Sequence, residues 1–233
     1  MRAPWRGDRA ERDRLRHLAR AADGPLRAYL EVPGPPSRTP LEELGLLAVD
    51  IETTGLDPRT DRVLSVGFVA VDGCEVVLGT ARRFVVSDVQ GVGQSATLHG
   101  LTDDVLAAGR PIGEVLGALL AALSGRALLA HHARIETEFL GAACRRLWGA
   151  GLPCPVVDTL ELEQRALTTG WGGEVAPGAL RLARARERYG LPVYRAHEAL
   201  TDAVACAELY LAQASRMSAG SPGTRATLRQ VLA

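Results

Sequence analysis

This chain contains no lysine. All 27 of its basic residues are arginine, and 27 acidic residues balance them to a formal net charge of zero. A neutral molecule exerts no strong general pull on polyanions, so any affinity for nucleic acid has to come from a local patch or from bound metal. The planar fork of arginine suits phosphate contact, although a genome that favours Arg, Ala and Gly accounts for the same usage. Aromatic residues make up only 4% of the chain, which leaves the core to Leu, Val, Ala and Ile. The four cysteines, Cys74, Cys144, Cys154 and Cys206, show no CxxC spacing. That argues against a structural zinc site and a disulfide framework, and suits a reducing compartment. The Arg-rich N-terminus lacks the pattern of a secretory signal. The longest apolar region, 112–130, is interrupted by Glu114, Ser124 and Arg126 and is too broken to cross a bilayer. The expected setting is the cytoplasm.

What is present is a chain of 233 residues, 47% hydrophobic, enough for one sizeable domain with appendages. Residues 1–40 read as an Arg-rich helical extension that closes on the stiff linker Pro33-Gly34-Pro35-Pro36. Seven arginines between Arg2 and Arg20 face Asp8, Glu11 and Asp13, the composition of a solvated surface helix or of a basic arm. The main domain is expected over 41–217, and a flexible polar tail over 218–233. Strand-like runs cover 46–52, 63–71 and 75–86, with a hairpin turn at Asp72-Gly73. Helix is expected at 112–123, 133–148, 159–167, 179–189 and 198–217, short strands at 127–130 and 155–158, and loop at 171–178. Three antiparallel strands followed by alternating helix and strand predict an α/β fold, a mixed sheet with helices on both faces.

Three acidic stations punctuate that pattern. Asp50 and Glu52 end the apolar run that starts at Leu44, two residues apart and therefore on one face of a strand. Like charges so placed raise each other's pKa unless cations neutralise them, and hard divalent ions take carboxylate oxygens. An acidic turn after a strand explains the same letters. The second station, His131-His132-Ala133-Arg134-Ile135-Glu136, sits where a short strand hands over to a helix; Glu136 there also suits an ordinary solvated helix face. The third is His197 with Asp202, at the start of a helix whose dipole favours an acid in its first turn. His197, on the preceding loop, is a side chain able to take a proton near neutral pH, and a capped helix start fits equally.

Taken together and in this order, the three stations resemble the DEDDh 3′-5′ exonuclease superfamily, especially the epsilon subunit of bacterial DNA polymerase III and its stand-alone, ribonuclease T-like relatives. The resemblance spans 46–211. It rests on Asp50-Ile51-Glu52-Thr53-Thr54-Gly55-Leu56, on Leu98-His99-Gly100-Leu101-Thr102, on Val157-Asp158-Thr159-Leu160 and on His197 through Asp202-Ala203. It implies a ribonuclease H-like, mixed five-stranded sheet flanked by helices, and makes 41–217 the exonuclease domain. It implies that Asp50, Glu52, Glu136 and Asp202 hold two divalent ions, magnesium or manganese, and that His197 is the general base. Thr53, Thr54, Leu56, Gln94 and His99 would then meet the terminal nucleotide. The implied activity removes nucleoside monophosphates from single-stranded 3′ ends of DNA, in repair or proofreading. A DNA polymerase or another replication or repair protein is the implied partner, and no membrane is involved. RNA 3′-end trimming, and a catalytically weak nuclease fold that binds a partner, are the alternatives. Two positions depart from the family's pattern: Glu136 stands where Asp is usual, and Gln94 where Glu is usual.

Overall fold

The computed structural model describes residues 6–87, 108–171, 175–195, 197–219 and 225–233. Two helices come first, α1 (Arg6–Leu18) and α2 (Pro25–Glu31). The sheet is then laid down by β1 (Gly45–Thr53), β2 (Val63–Asp72) and β3 (Glu75–Val85). After α3 (Ile112–Leu123), β4 (Ala127–Ala130) and α4 (Arg134–Trp148) the fifth strand β5 (Val156–Asp158) follows. The remaining helices are α5 (Thr159–Trp171), α6 (Leu182–Arg188), α7 (Ala199–Ala219) and α8 (Leu228–Val231).

The five strands form one sheet in the order β3-β2-β1-β4-β5. β1, β2 and β3 are antiparallel, while β4 runs parallel to β1 and β5 parallel to β4. This is the mixed, five-stranded, helix-flanked sheet expected. The β2–β3 turn is made by Gly73 and Cys74; Gly73 has φ 59°, and a Cβ there would lie 2.2 Å from the carbonyl oxygen of Glu42. Glycine at the first of two turn residues is the II′ hairpin preference.

Alternation along β1 sorts its side chains to two cores. Leu47, Val49 and Ile51 join an apolar cluster that includes Leu26 and Leu30 of α2, Leu116, Leu119, Leu120 and Leu123 of α3, and Phe139 and Leu140 of α4. Leu46 and Ala48 join the opposite cluster, with Leu162 of α5, Cys206, Ala207 and Tyr210 of α7, and Leu228 and Val231 of α8. Asp50 and Glu52 continue the second series, so they emerge on the face that carries α7.

Several boundaries differ from expectation. α2, which the sequence pattern does not mark, starts with Pro25 at its first turn and buries Leu26, Tyr29 and Leu30; residues 1–40 thus supply side chains to the main core. The stretch after 218 includes Leu228 and Val231, both buried, and Ala233 donates its N–H to Val156 O at 3.0 Å. α5 continues through Trp171 instead of stopping at 167, with the Thr168 hydroxyl donating to Gln164 O at 2.9 Å. α6 is shorter than the helix expected over 179–189, because residues before Leu182 form turns. All four cysteines are free thiols. Among the described residues, no helix is long and apolar enough to cross a membrane.

Candidate active site

Asp50, Glu52 and Asp202 each offer a carboxylate oxygen to a group whose atoms all lie within 4.8 Å of one another. Two come from the end of β1, and the third from the first turn of α7, which rests on the same face. The approach is made by Gly67. It pairs with Asp50 on one side and with Arg83 of β3 on the other. A Cβ on Gly67 would lie 2.2 Å from the amide nitrogen of Leu200 and 2.4 Å from the carbonyl oxygen of Ala199. Only a residue without a side chain lets α7 come down so far.

Crowding of acids shows in their protonation. Asp50 is held well above the ordinary carboxylate range, first by burial and then by the charges of Glu136, Asp202, Glu52 and Glu198. Burial, with Asp202 and Glu198, pushes Glu52 up to about 7, and Arg83 opposes that rise. Asp202 is raised by burial, while the hydrogen bond from the His197 backbone at 2.9 Å works against it. Glu136 lies outside the group of three oxygens but acts on Asp50 through its charge. It is 3% exposed, burial raises it to about 8, and its Oε2 is buried without a hydrogen-bond partner.

An orphaned, buried carboxylate oxygen beside three clustered carboxylates calls for a cation. The donor set is all oxygen, which fits a hard divalent metal ion.

The second station is built by a residue whose part the sequence does not display. Asp158, 4% exposed at the end of β5, accepts hydrogen bonds from the backbone N–H groups of His132, Ala133 and Leu160, each at 2.9 Å. It ties the β4–α4 turn, where His132 has φ 71°, to the neighbouring strand and so aims the start of α4. His131 is locked beside it, with Nδ1 2.9 Å from the Thr159 hydroxyl and Nε2 2.8 Å from Leu180 O. A carbonyl can only accept, so Nε2 carries the proton. Burial lowers the pKa of this imidazole.

At the third station His197 has φ 69° and an exposed side chain, and its charge acts on Asp202. Glu198 ties the loop down in two directions. Its Oε2 accepts from the Thr201 backbone at 2.8 Å and from the Thr201 hydroxyl, and its Oε1 pairs with Arg83 Nε at 2.8 Å.

The β1–β2 turn places the remaining expected contacts. The Thr53 hydroxyl donates to Gly55 O at 2.6 Å, and that of Thr54 to Asp61 Oδ1 at 3.1 Å, so both brace the turn. Leu56 is 79% exposed and therefore not a core residue. Gln94 and His99 lie outside the described residues. Gly67, Arg83 and Glu198 are not among the expected site residues, and Asp158, though part of a recognised motif, has no expected role there. A glycine within an otherwise apolar strand was the one available signal, since it marks a close approach of backbone.

Comparison with known proteins gives a consistent picture. The model of the exonuclease family matches residues 47–210. The chain is 30% identical over 169 residues to the DNA polymerase III subunit epsilon of Treponema pallidum, covering 72% of this chain and 76% of that protein. It is 29% identical over 165 residues to the PolC-type DNA polymerase III of Thermotoga maritima, covering 71% of this chain but only 11% of that polymerase. Among solved structures, E. coli exonuclease I in complex with a dA16 oligonucleotide superposes with a TM-score of 0.63 at 18% identity, over 76% of this chain and 42% of that one. Cell-death related nuclease 4 superposes with a TM-score of 0.60 at 15% identity, over 75% of this chain and 65% of that one. At such identities the two superpositions speak for the fold.

Proposed function

This chain belongs to the exonuclease family, and from that premise we propose that it is a metal-dependent 3′-5′ exonuclease releasing nucleoside monophosphates from single-stranded 3′ ends, DNA foremost, in repair or proofreading. The observation that carries this reading is the meeting of Asp50, Glu52 and Asp202 within 4.8 Å, from a strand and a helix far apart in the chain. Asp50, Glu52, Glu136 and Asp202 would hold the metal, two magnesium or manganese ions in this reading. Bound there, such ions supply positive charge to a phosphodiester and to the oxygens that attack and leave it.

The chain's own groups do the rest. His197, exposed at the mouth of the site, takes the proton of the attacking water on an imidazole nitrogen. The Asp202 carboxylate accepts the His197 backbone N–H, and Glu198, the next residue, is tied to the Thr201 backbone. The braced turn of Thr53 and Thr54 presents its backbone to the terminal nucleotide, and exposed Leu56 packs against the unstacked base. Gln94 and His99 are proposed as further contacts to the terminal nucleotide. A polymerase is the proposed partner, in keeping with the name of the Treponema pallidum relative, and the cytoplasm the proposed setting.

The test is digestion of matched single-stranded DNA and RNA oligonucleotides, labelled at the 5′ end, with magnesium, with manganese and with chelator. A ladder shortening from the 3′ end, with monophosphate product and dependence on metal, is expected for DNA. Failure to shorten either strand with either ion would overturn the reading, and shortening of RNA alone would reassign the substrate.

A further inference from the structure

We propose that Arg62, Arg145 and Arg146 form a cationic track that holds the phosphate backbone of the single strand upstream of the nucleotide being removed; this rests on the nuclease reading above. The track begins at the rim of the acidic site. The backbone of Arg62 is fixed against Thr54, two residues past Glu52: Thr54 N–H donates to Arg62 O at 2.9 Å, and Arg62 N–H to the Thr54 hydroxyl at 3.0 Å. It then crosses to α4, where Arg146 Nη1 donates to Pro58 O in the same turn at 3.3 Å. Helical rise of about 1.5 Å per residue sets Arg146 roughly 15 Å along the axis from Glu136.

All three arginines are exposed. Their neighbours are paired: Arg59 meets Asp57 at 3.1 Å, and Arg134 meets Glu138 at 2.8 Å. Arg62 instead donates to the carbonyls of Thr60 at 2.8 Å and Asp61 at 3.1 Å, and among the described residues none of the three forms an ion pair. Arg146 is close enough to the other two for their charges to act on it, adding to burial in lowering its pKa. Carbonyl contacts orient a guanidinium without neutralising it.

Like charges assembled without a counter-charge are costly, and a polyanion laid along them removes that cost. The need is plain on the substrate's side as well. A site of clustered carboxylates repels the strand it must cut, and a chain of zero net charge offers no general attraction to offset this. Guanidinium groups meet phosphate with two hydrogen bonds at once.

Two variants test the track, Arg62→Ala with Arg146→Ala together, and Arg145→Glu alone. Arg62 meets Thr54 through its backbone, so the double variant keeps those hydrogen bonds; circular dichroism and the thermal midpoint check the fold. Binding of a long, fluorescently labelled single-stranded DNA is read by anisotropy in chelator, over a series of salt concentrations. The double variant should bind roughly tenfold more weakly at low salt, with the slope of log K against log salt shallower by about 0.7 for each phosphate that the variant leaves unneutralised. Arg145→Glu should weaken binding at low salt as well. Unchanged affinity and slope in both variants would overturn the proposal. Because binding is measured without metal, the result stands apart from hydrolysis: wild-type protein that cuts the strand while both variants bind as it does would sink the track and leave the nuclease reading standing.

Discussion

The amide nitrogen of Leu200 lies 2.2 Å from where a Cβ on Gly67 would stand. Through this contact β2 admits the first turn of α7 to the sheet, and Asp202 arrives beside Asp50, the strand partner of Gly67. The atoms met are backbone, which no rotamer change moves aside.

Gly67→Ala should therefore lift α7 off the sheet. Stability is expected to fall by about 3 kcal/mol, at the upper end for overpacking a core, and nuclease activity to fall with it because the acids part. Urea denaturation with the activity assay checks this. A stable, fully active variant would show that α7 can dock without the close approach.

Asp202 both carries charge to the site and accepts the N–H of His197 at 2.9 Å. Asp202→Asn keeps an acceptor and loses the charge, whereas Asp202→Ala loses both. Each should abolish activity, but only the Ala variant should loosen the 197–202 turn, seen as faster hydrogen exchange at the His197 amide. Activity retained in Asp202→Asn would remove this residue from the metal site.

The metal-free protein should lose stability as pH rises. Glu52, raised from 4.5 to about 7, and Glu136, raised from 4.5 to about 8, bind protons more tightly folded than unfolded. Their contribution is thus fully present below about pH 4.5 and is lost as pH rises through about 7 to 8. Thermal midpoints in chelator should decline across that window relative to a Glu52→Gln/Glu136→Gln variant. Manganese should restore them in wild type, since a ligand bound only by the folded state adds stability by mass action. A pH-independent difference between the two proteins would refute the charge crowding.

Asp158→Ala should cost about 2–3 kcal/mol, because it strips the acceptor from backbone donors at a buried turn. Since that turn aims α4, activity should drop as well. Equal stability of variant and wild type in chemical denaturation would mean that water replaces the carboxylate.

Much of the fold is written in local pattern. The run from Leu44 announces β1, and period-two alternation alone puts Asp50 and Glu52 on one face. The apolar spacing from Ile112 marks a helix whose ends the structure reproduces, and the ladder of short strands and helices predicts the mixed sheet. α2 escapes because seven residues are too few to show a helical period, and α5 runs past its expected end through Thr168, a residue whose own helix propensity is weak. Such marginal segments take their structure from what they pack against.

The meeting of the stations was a matter for the folded molecule. Periodicity places a side chain on a face of its own element, but distance between elements depends on the atoms that separate them. That is why Gly67, silent as a motif, sets how near Asp202 comes, and why Asp158 on β5 governs the aim of a helix that follows β4. The orphaned oxygen of Glu136 belongs to the same class of fact: whether a carboxylate finds water, a donor or a cation is decided by the packing around it, which no local stretch of residues encodes.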